Sequence, residues 1–160
     1  MDFQIRRAGH VVLRVTDVAR AKAFLEDVIG FTTTAQSGDR FFFLTAQAVS
    51  NHHMIAVRTG KEGERLPDAE HQIGMVAISY EVTDFDELAR IYNRIKARGG
   101  EYGAKIVATE DRGHINTVIC EDADGNRIEF YCYLPEDEVG DGTPYVLRGS
   151  VEDKLQAAAS

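Results

Sequence analysis

Gly9-His10-Val11-Val12-Leu13-Arg14-Val15-Thr16-Asp17 alternates apolar and polar residues behind a histidine and closes on an aspartate. That is the pattern of a half-buried strand running into a helix cap. The layout returns at Ala77-Ile78-Ser79-Tyr80-Glu81-Val82-Thr83-Asp84, down to the identical triplet Val-Thr-Asp. Val15 and Val82 stand 67 positions apart (82 − 15), and the same offset carries His10 onto Ala77. A repeat at this spacing implies two like modules, each supplying part of one fold.

Working outward from the first copy, Asp17 caps a helix over residues 18–29 whose apolar stripe is Ala21, Phe24, Leu25 and Val28. Gly30 takes the left-handed position that ends it. Strand-like pieces follow at 31–36, 40–45 and 53–57, the first two joined by Ser37-Gly38-Asp39. The second copy has a strand at 75–82 and a helix from Asp84 to about residue 98. Asp84 and Glu87 form a capping-box variant, and Gly99-Gly100 is the stop. Strands near 105–109, 116–121 and 127–133 complete it, with Asp122-Ala123-Asp124-Gly125-Asn126 as the last turn.

The fold expected is α+β: tandem β-α-β-β-β modules, about 8–58 and 75–133, within one domain spanning 1–160. Residues 60–74, rich in polar and turn-forming types, link them. Joined edge to edge, the two mixed sheets would curve round a cleft with the helices outside. An acidic tail over 135–160 follows, in which Ser150 starts a short helix; it lacks ligand types in an apolar strand and has no catalytic role.

Composition narrows the functions. Net charge is −8 with few basic clusters, which argues against nucleic-acid or anionic-membrane partners. Runs such as Phe41-Phe42-Phe43-Leu44 are too short to cross a bilayer, and Met1-Asp2-Phe3-Gln4-Ile5-Arg6-Arg7 has no apolar signal core. Cys120 and Cys132, both in strands, read as reduced, packed thiols of a cytoplasmic protein.

Glu129 stands in the apolar run Ile128-Glu129-Phe130 and is either turned inward with a partner or out to solvent. His52 and His53, as neighbours in a strand, point to opposite faces, so that at most one faces the cleft. His114, after Arg112-Gly113, either lines the cleft mouth or is a solvated loop residue. Phe41, Phe42 and Phe43 are core and pocket wall.

Four separated motifs resemble the vicinal-oxygen-chelate superfamily of glyoxalases, bleomycin-resistance proteins and extradiol ring-cleaving dioxygenases. They are Gly9-His10-Val11-Val12, the segment from Ala21 to Phe31 ending Val28-Ile29-Gly30-Phe31, the pair in Asn51-His52-His53-Met54, and Asp122-Ala123-Asp124-Gly125-Asn126-Arg127-Ile128-Glu129-Phe130. The likeness spans about residues 8–133 and is similar in detail to the catalytic domain of extradiol dioxygenases.

The resemblance implies a divalent metal, Fe(II) before Mn or Zn, held by His10 and Glu129, with His53 as the acid–base residue. A 2-His-1-carboxylate set leaves positions open for oxygen and a chelating substrate. The second-module histidine ligand falls on Ala77 and the substrate-side tyrosine near Ile119, which leaves His53 or His71 to complete the set. Ala77, His114 and Ile119 then line the substrate site. The activity implied is dioxygenase-like, on a small oxygen-bearing aromatic substrate, in a homodimer. A metal-free small-molecule binder on the same fold is the rival, favoured by Ala77 and Ile119. A glyoxalase-type isomerase is a third reading, weakened by His53-Met54 where a carboxylate belongs.

Overall fold

The computed structural model describes residues 9–46, 52–60, 74–139 and 147–158. The chain divides into two compact units, residues 1–64 and 65–160. Each carries one four-stranded mixed sheet, and the α+β class and the repeated β-α-β-β-β order are as the sequence predicts.

In the first unit, β1 (Val11–Val15) leads into α1 (Val18–Ala23), which continues as a π-helical segment, Phe24–Ile29. Asp17 caps α1: its Oδ1 accepts from the Arg20 amide at 3.0 Å. Phe24, Leu25, Val28 and Ile29 recur at helical spacing and are all buried. Gly30 stops the segment at φ 89°, a conformation that costs any side-chain-bearing residue. β2 (Phe31–Ser37), β3 (Phe41–Ala46) and β4 (Ile55–Thr59) follow, and the sheet order is β1-β4-β3-β2, with β1 parallel to β4. Leu13, Val15, Leu44, Ile55 and Val57 are buried on one face of this sheet, the face that α1 covers. Glu26 ties helix to sheet, accepting from Thr33 Oγ1 at 2.6 Å and pairing with Lys22. Burial raises its pKa, but these partners outweigh burial and hold it below the ordinary value.

The second unit repeats the plan with β5 (Ile78–Glu81), α2 (Phe85–Arg98), β6 (Lys105–Asp111), β7 (Ile115–Glu121) and β8 (Arg127–Tyr133), in the order β5-β8-β7-β6. Asp84 caps α2 through the Glu87 amide at 2.8 Å. It sits 67 positions after Asp17 (84 − 17), so the repeat holds at the level of the cap. The capping box is half made, because the Glu87 side chain pairs forward with Arg90 instead of back to the cap. The helix stop also lies later than expected. After α2 a 3₁₀ turn, Gly99–Tyr102, runs on to Gly103, which supplies the left-handed residue at φ 75°. Gly99 is closely packed, since a Cβ there would sit 3.1 Å from the Ala104 carbonyl oxygen and the neighbours would have to give by a few tenths of an ångström.

Strand alternation sorts the second sheet into two faces. Val118, Cys120, Ile128, Phe130 and Cys132 are buried on the face beneath α2. Both cysteines are free thiols, and burial pushes Cys120 up to about 12. The tail is a structural clamp. Asp111 exchanges backbone hydrogen bonds with Gly149 and Arg148 at the free edge of β6. Then α3 (Glu152–Ala157) sets a fully buried Leu155 against α2, and the Tyr92 hydroxyl donates to Glu152 at 2.6 Å. Ser150 accepts from the Glu152 amide at 3.1 Å, as its place before the helix suggests.

Candidate functional site

In the first unit, the face of the sheet away from α1 carries Val12, Phe41, Phe43 and Ala56, by their register with the buried face. His10, directly before β1, joins this face: its ring lies 4.2 Å from that of His53, which lies 5.0 Å from Phe43. The expectation that His52 and His53 point to opposite faces needs correction. β4 begins only at Ile55, so neither histidine follows strand alternation. Their Nδ1 atoms are 2.8 Å apart, which makes one a donor and the other an acceptor. His53 Nε2 is buried without a hydrogen-bond partner. Burial, with His10 and His52 beside it, holds the His53 pKa below the ordinary histidine value, so the neutral ring is favoured.

In the second unit, the face away from α2 carries Ser79, Ile119, Thr117 and Glu129; Ser79 and Ile119 flank Glu129 on the neighbouring strands. Glu129 is turned inward, only 7% exposed, and a buried carboxylate needs compensation. Both of its oxygens have a partner. Ser79 donates to Oε1 at 2.8 Å, and the Arg112 guanidinium lies 2.9 Å from Oε2. Arg112 also reaches Glu110 at 2.8 Å. Burial lowers its pKa, but the two carboxylates outweigh that and hold it above the usual arginine value.

Arg112 and Ser79 are the residues that sequence reasoning missed. The signal for Arg112 was available: an acid inside an apolar strand calls for a cation, and the preceding hairpin supplies one. His114, half-buried in that hairpin, turns Nδ1 toward the Arg112 carbonyl at 3.1 Å, where it must donate. Ala77, half-buried, lies just before β5, two residues before Ser79. His71 lies outside the described residues.

The repeat can be read through the registers. Val12 opposes Ala56 in the first unit, and the corresponding Ser79 opposes Glu129 in the second. The positions related to one another are therefore His10 with Ala77, and Ala56 with Glu129. Each unit keeps one ligand-type residue and has an alanine at the other position.

Two β-α-β-β-β units of identical strand order define a paired-module α+β protein of the vicinal-oxygen-chelate type. The family model for the Glyoxalase/Bleomycin resistance protein/Dioxygenase superfamily matches residues 7–130, and the chain belongs to that superfamily. No curated protein matches it.

Among solved structures, the chain is similar to the glyoxylase/bleomycin resistance protein/dioxygenase domain from Frankia sp. EAN1pec, at 19% identity and TM-score 0.65, over 82% of this chain and 100% of that one. A mutant of the fosfomycin resistance protein FosX from Listeria monocytogenes, complexed with Mn(II) and 1S,2S-dihydroxypropylphosphonic acid, is 21% identical with TM-score 0.58, over 80% and 90% of the two chains. FosX from Mesorhizobium loti is 19% identical with TM-score 0.56, over 86% and 100%. At these identities the likeness concerns the fold.

The superfamily implies a metal ion, and the Glu129 carboxylate, the ligand that the resemblance gives the second unit, is already engaged at both oxygens. Among the described residues, no group of three or more His, Cys, Asp and Glu side chains is placed to hold a metal. Glu129 offers its oxygens to Ser79 and a guanidinium. Among the described residues, no helix is long and apolar enough to cross a membrane.

Proposed function

We propose that this chain is a small-molecule-binding member of the superfamily in which Arg112, in place of a metal ion, neutralises Glu129. One observation carries the reading: the Arg112–Glu129 pair at 2.9 Å, in a unit whose other ligand position is Ala77. An ion pair closed by a serine hydroxyl has little left to offer a metal, which would have to displace a fixed positive charge. Phe41, Phe43, His10 and His53, on one face of the first unit, suit a small, oxygen-bearing aromatic ligand. The neutral His53 would accept or donate one hydrogen bond to it at Nε2, the buried atom with no partner of its own. Ala77, Ile119 and His114 are proposed as ligand-facing residues.

The experiment is elemental analysis of protein purified without chelator or affinity tag, beside His10→Ala and Glu129→Ala. The expected result is substoichiometric metal, unchanged in either variant, and no uptake of Fe(II) added anaerobically. Near-stoichiometric Fe, Mn or Zn that disappears in both variants would overturn the reading.

A second reading, an extradiol-dioxygenase-like metalloenzyme with Fe(II), Mn or Zn held by His10 and Glu129, is favoured by one observation. His53, neutral and with its Nε2 unspent, lies beside His10, as a residue that moves a proton should. That reading requires Arg112 to release Glu129, and the metal measurement separates the two. Both keep the expectation of a cytoplasmic homodimer, which light scattering checks for the assembly.

A further inference from the structure

The face of the first sheet that carries His10, Phe41 and Phe43 ends on two arginines. Arg14 of β1 and Arg58 of β4 stand directly opposite each other in register. They share this face because each lies two residues beyond the Val12–Ala56 pair, and both are exposed. On its other side Arg58 opposes Phe41, so no carboxylate stands beside it in register. Like charges directly opposite each other on neighbouring strands are destabilising. Composition does not force the arrangement, since the chain has 26 acidic residues against 18 lysines and arginines. Asp17, the acid nearest to Arg14 in sequence, is committed to the cap of α1. An unfavourable pair of charges on the ligand face has a role when the ligand brings the missing negative charge.

The rest of the face defines what carries that charge. The ring centroids of Phe41 and Phe43 are 4.4 Å apart, Phe43 is 5.0 Å from His53, and His53 is 4.2 Å from His10. Aromatic surface therefore runs without a break from the arginine row to the histidines. Val12, 45% exposed and midway between His10 and Arg14 in sequence, adds apolar floor. A guanidinium presents its N–H donors as a planar fork that matches two oxygens of one anion. Two such forks on adjacent strands can share one carboxylate. Four residues separate His10 from Arg14, about 13 Å of strand. A hydroxyphenyl ring with a short acid arm, met by an arginine side chain, covers that distance.

We propose that Arg14 and Arg58 form a carboxylate-binding subsite on this face, so that the ligand is a small aromatic acid. Its carboxylate accepts from both guanidinium groups, its ring packs on Phe43 and Val12, and an oxygen at the far end of the ring meets the exposed His10. The arginines select the charge, and the phenylalanines select the flat apolar body. The proposal rests on the reading of this face as the ligand face, and it holds whatever partner Glu129 has.

The test is calorimetric titration of the full chain with 3-(4-hydroxyphenyl)propanoate and with its neutral counterpart 3-(4-hydroxyphenyl)propan-1-ol, at low ionic strength. The acid should bind at least about tenfold more tightly than the alcohol, the discrimination expected of a charge-assisted hydrogen bond. Added salt should shrink that advantage and leave the alcohol unchanged. Arg14→Gln and Arg58→Gln should each weaken acid binding by about tenfold without altering alcohol binding. Arg58→Glu should abolish the preference for the acid while raising the thermal midpoint of the free chain, because it turns a repulsive pair into an attractive one. Equal affinity for acid and alcohol would overturn the proposal and leave the ligand-face reading standing. No binding of either would overturn both. A preference for the acid that survives in all three variants would overturn the assignment to Arg14 and Arg58. Metal content of the same samples keeps the Arg112 reading separate, since it reports on Glu129 and is expected to be the same in every arginine variant of this row.

Discussion

Arg112 Nη1 lies 2.9 Å from Glu129 Oε2, so the carboxylate that the superfamily pattern reserves for a metal already has a positive partner from its own chain. The pair is asymmetric in exposure: the Glu129 side chain is 9% exposed and that of Arg112 23%. Removing the cation therefore leaves the more buried partner uncompensated.

Arg112→Ala should destabilise the fold by about 2 kcal/mol, below the values typical of a fully buried pair because Arg112 is partly solvated. Glu129→Leu in the same background should recover most of that loss, since an apolar side chain beside Ile119 has no charge to compensate. Urea denaturation of the two single variants and the double variant forms a cycle. Additive effects would mean that the ion pair contributes nothing of its own.

The same pair predicts how metal affinity could be gained. Ala77 lies two residues before Ser79, the register partner of Glu129, so positions 77 and 129 belong to one end of adjacent strands. Arg112→Ala frees the Glu129 carboxylate, and Ala77→His adds an imidazole beside it. The double variant should take up Mn(II) or Zn(II) at least about tenfold more tightly than the unmodified chain, a modest demand on two ligands given how strongly these donor types bind such ions. Equilibrium dialysis reads it. Unchanged affinity would show that the charge of Arg112 is not what keeps a metal away.

How much of this was written in the sequence differs between fold and site. The Val-Thr-Asp repeat located both strands and both caps, because period-2 alternation and an N-cap aspartate are local signals that neighbouring residues suffice to set. His52 and His53 were misread because alternation holds only inside a strand, and β4 starts two residues later. The neutralisation of Glu129 was legible only as the need for a cation, and which cation meets it was not, for a different reason. Arg112 is separated from it by a hairpin and a strand, and its reach back across β7 depends on register. The role of the tail also escaped, since its contacts with β6 and α2 join residues 40 to 60 positions apart.

That tail makes its own prediction. Leu155 is fully buried in α3, a helix of six residues that could not persist unaided. Leu155→Ala should destabilise the fold by about 2–4 kcal/mol, the cost of a cavity in a packed core. It should also raise amide exchange at Tyr92 and Ile95 of α2. A loss under about 0.5 kcal/mol would mean that α3 is a loosely attached end.

Across the second sheet, Glu121 is flanked by Lys105 on β6 and Arg127 on β8, at 3.2 and 2.9 Å. Both cations oppose it in register, so the three charges bind the edge strand to the centre of the sheet. Arg127 first, and then Lys105 against the opposing effect of burial, hold the Glu121 pKa below its ordinary 4.5. Because the folded value is the lower one, the unfolded chain binds more protons in that window, and stability rises with pH there. The contribution is complete above about pH 4.5 and is lost as pH falls through the folded value. Glu121→Gln should therefore cost about 0.5–1 kcal/mol at pH 7, modest because Lys105 and Arg127 are largely exposed. The cost should shrink as pH falls through the folded value, where the wild-type carboxyl takes up its own proton. Raising salt at pH 7 should reduce the difference as well. A penalty that stays the same from pH 7 to 3 would show that Glu121 acts through packing, with no part played by its charge.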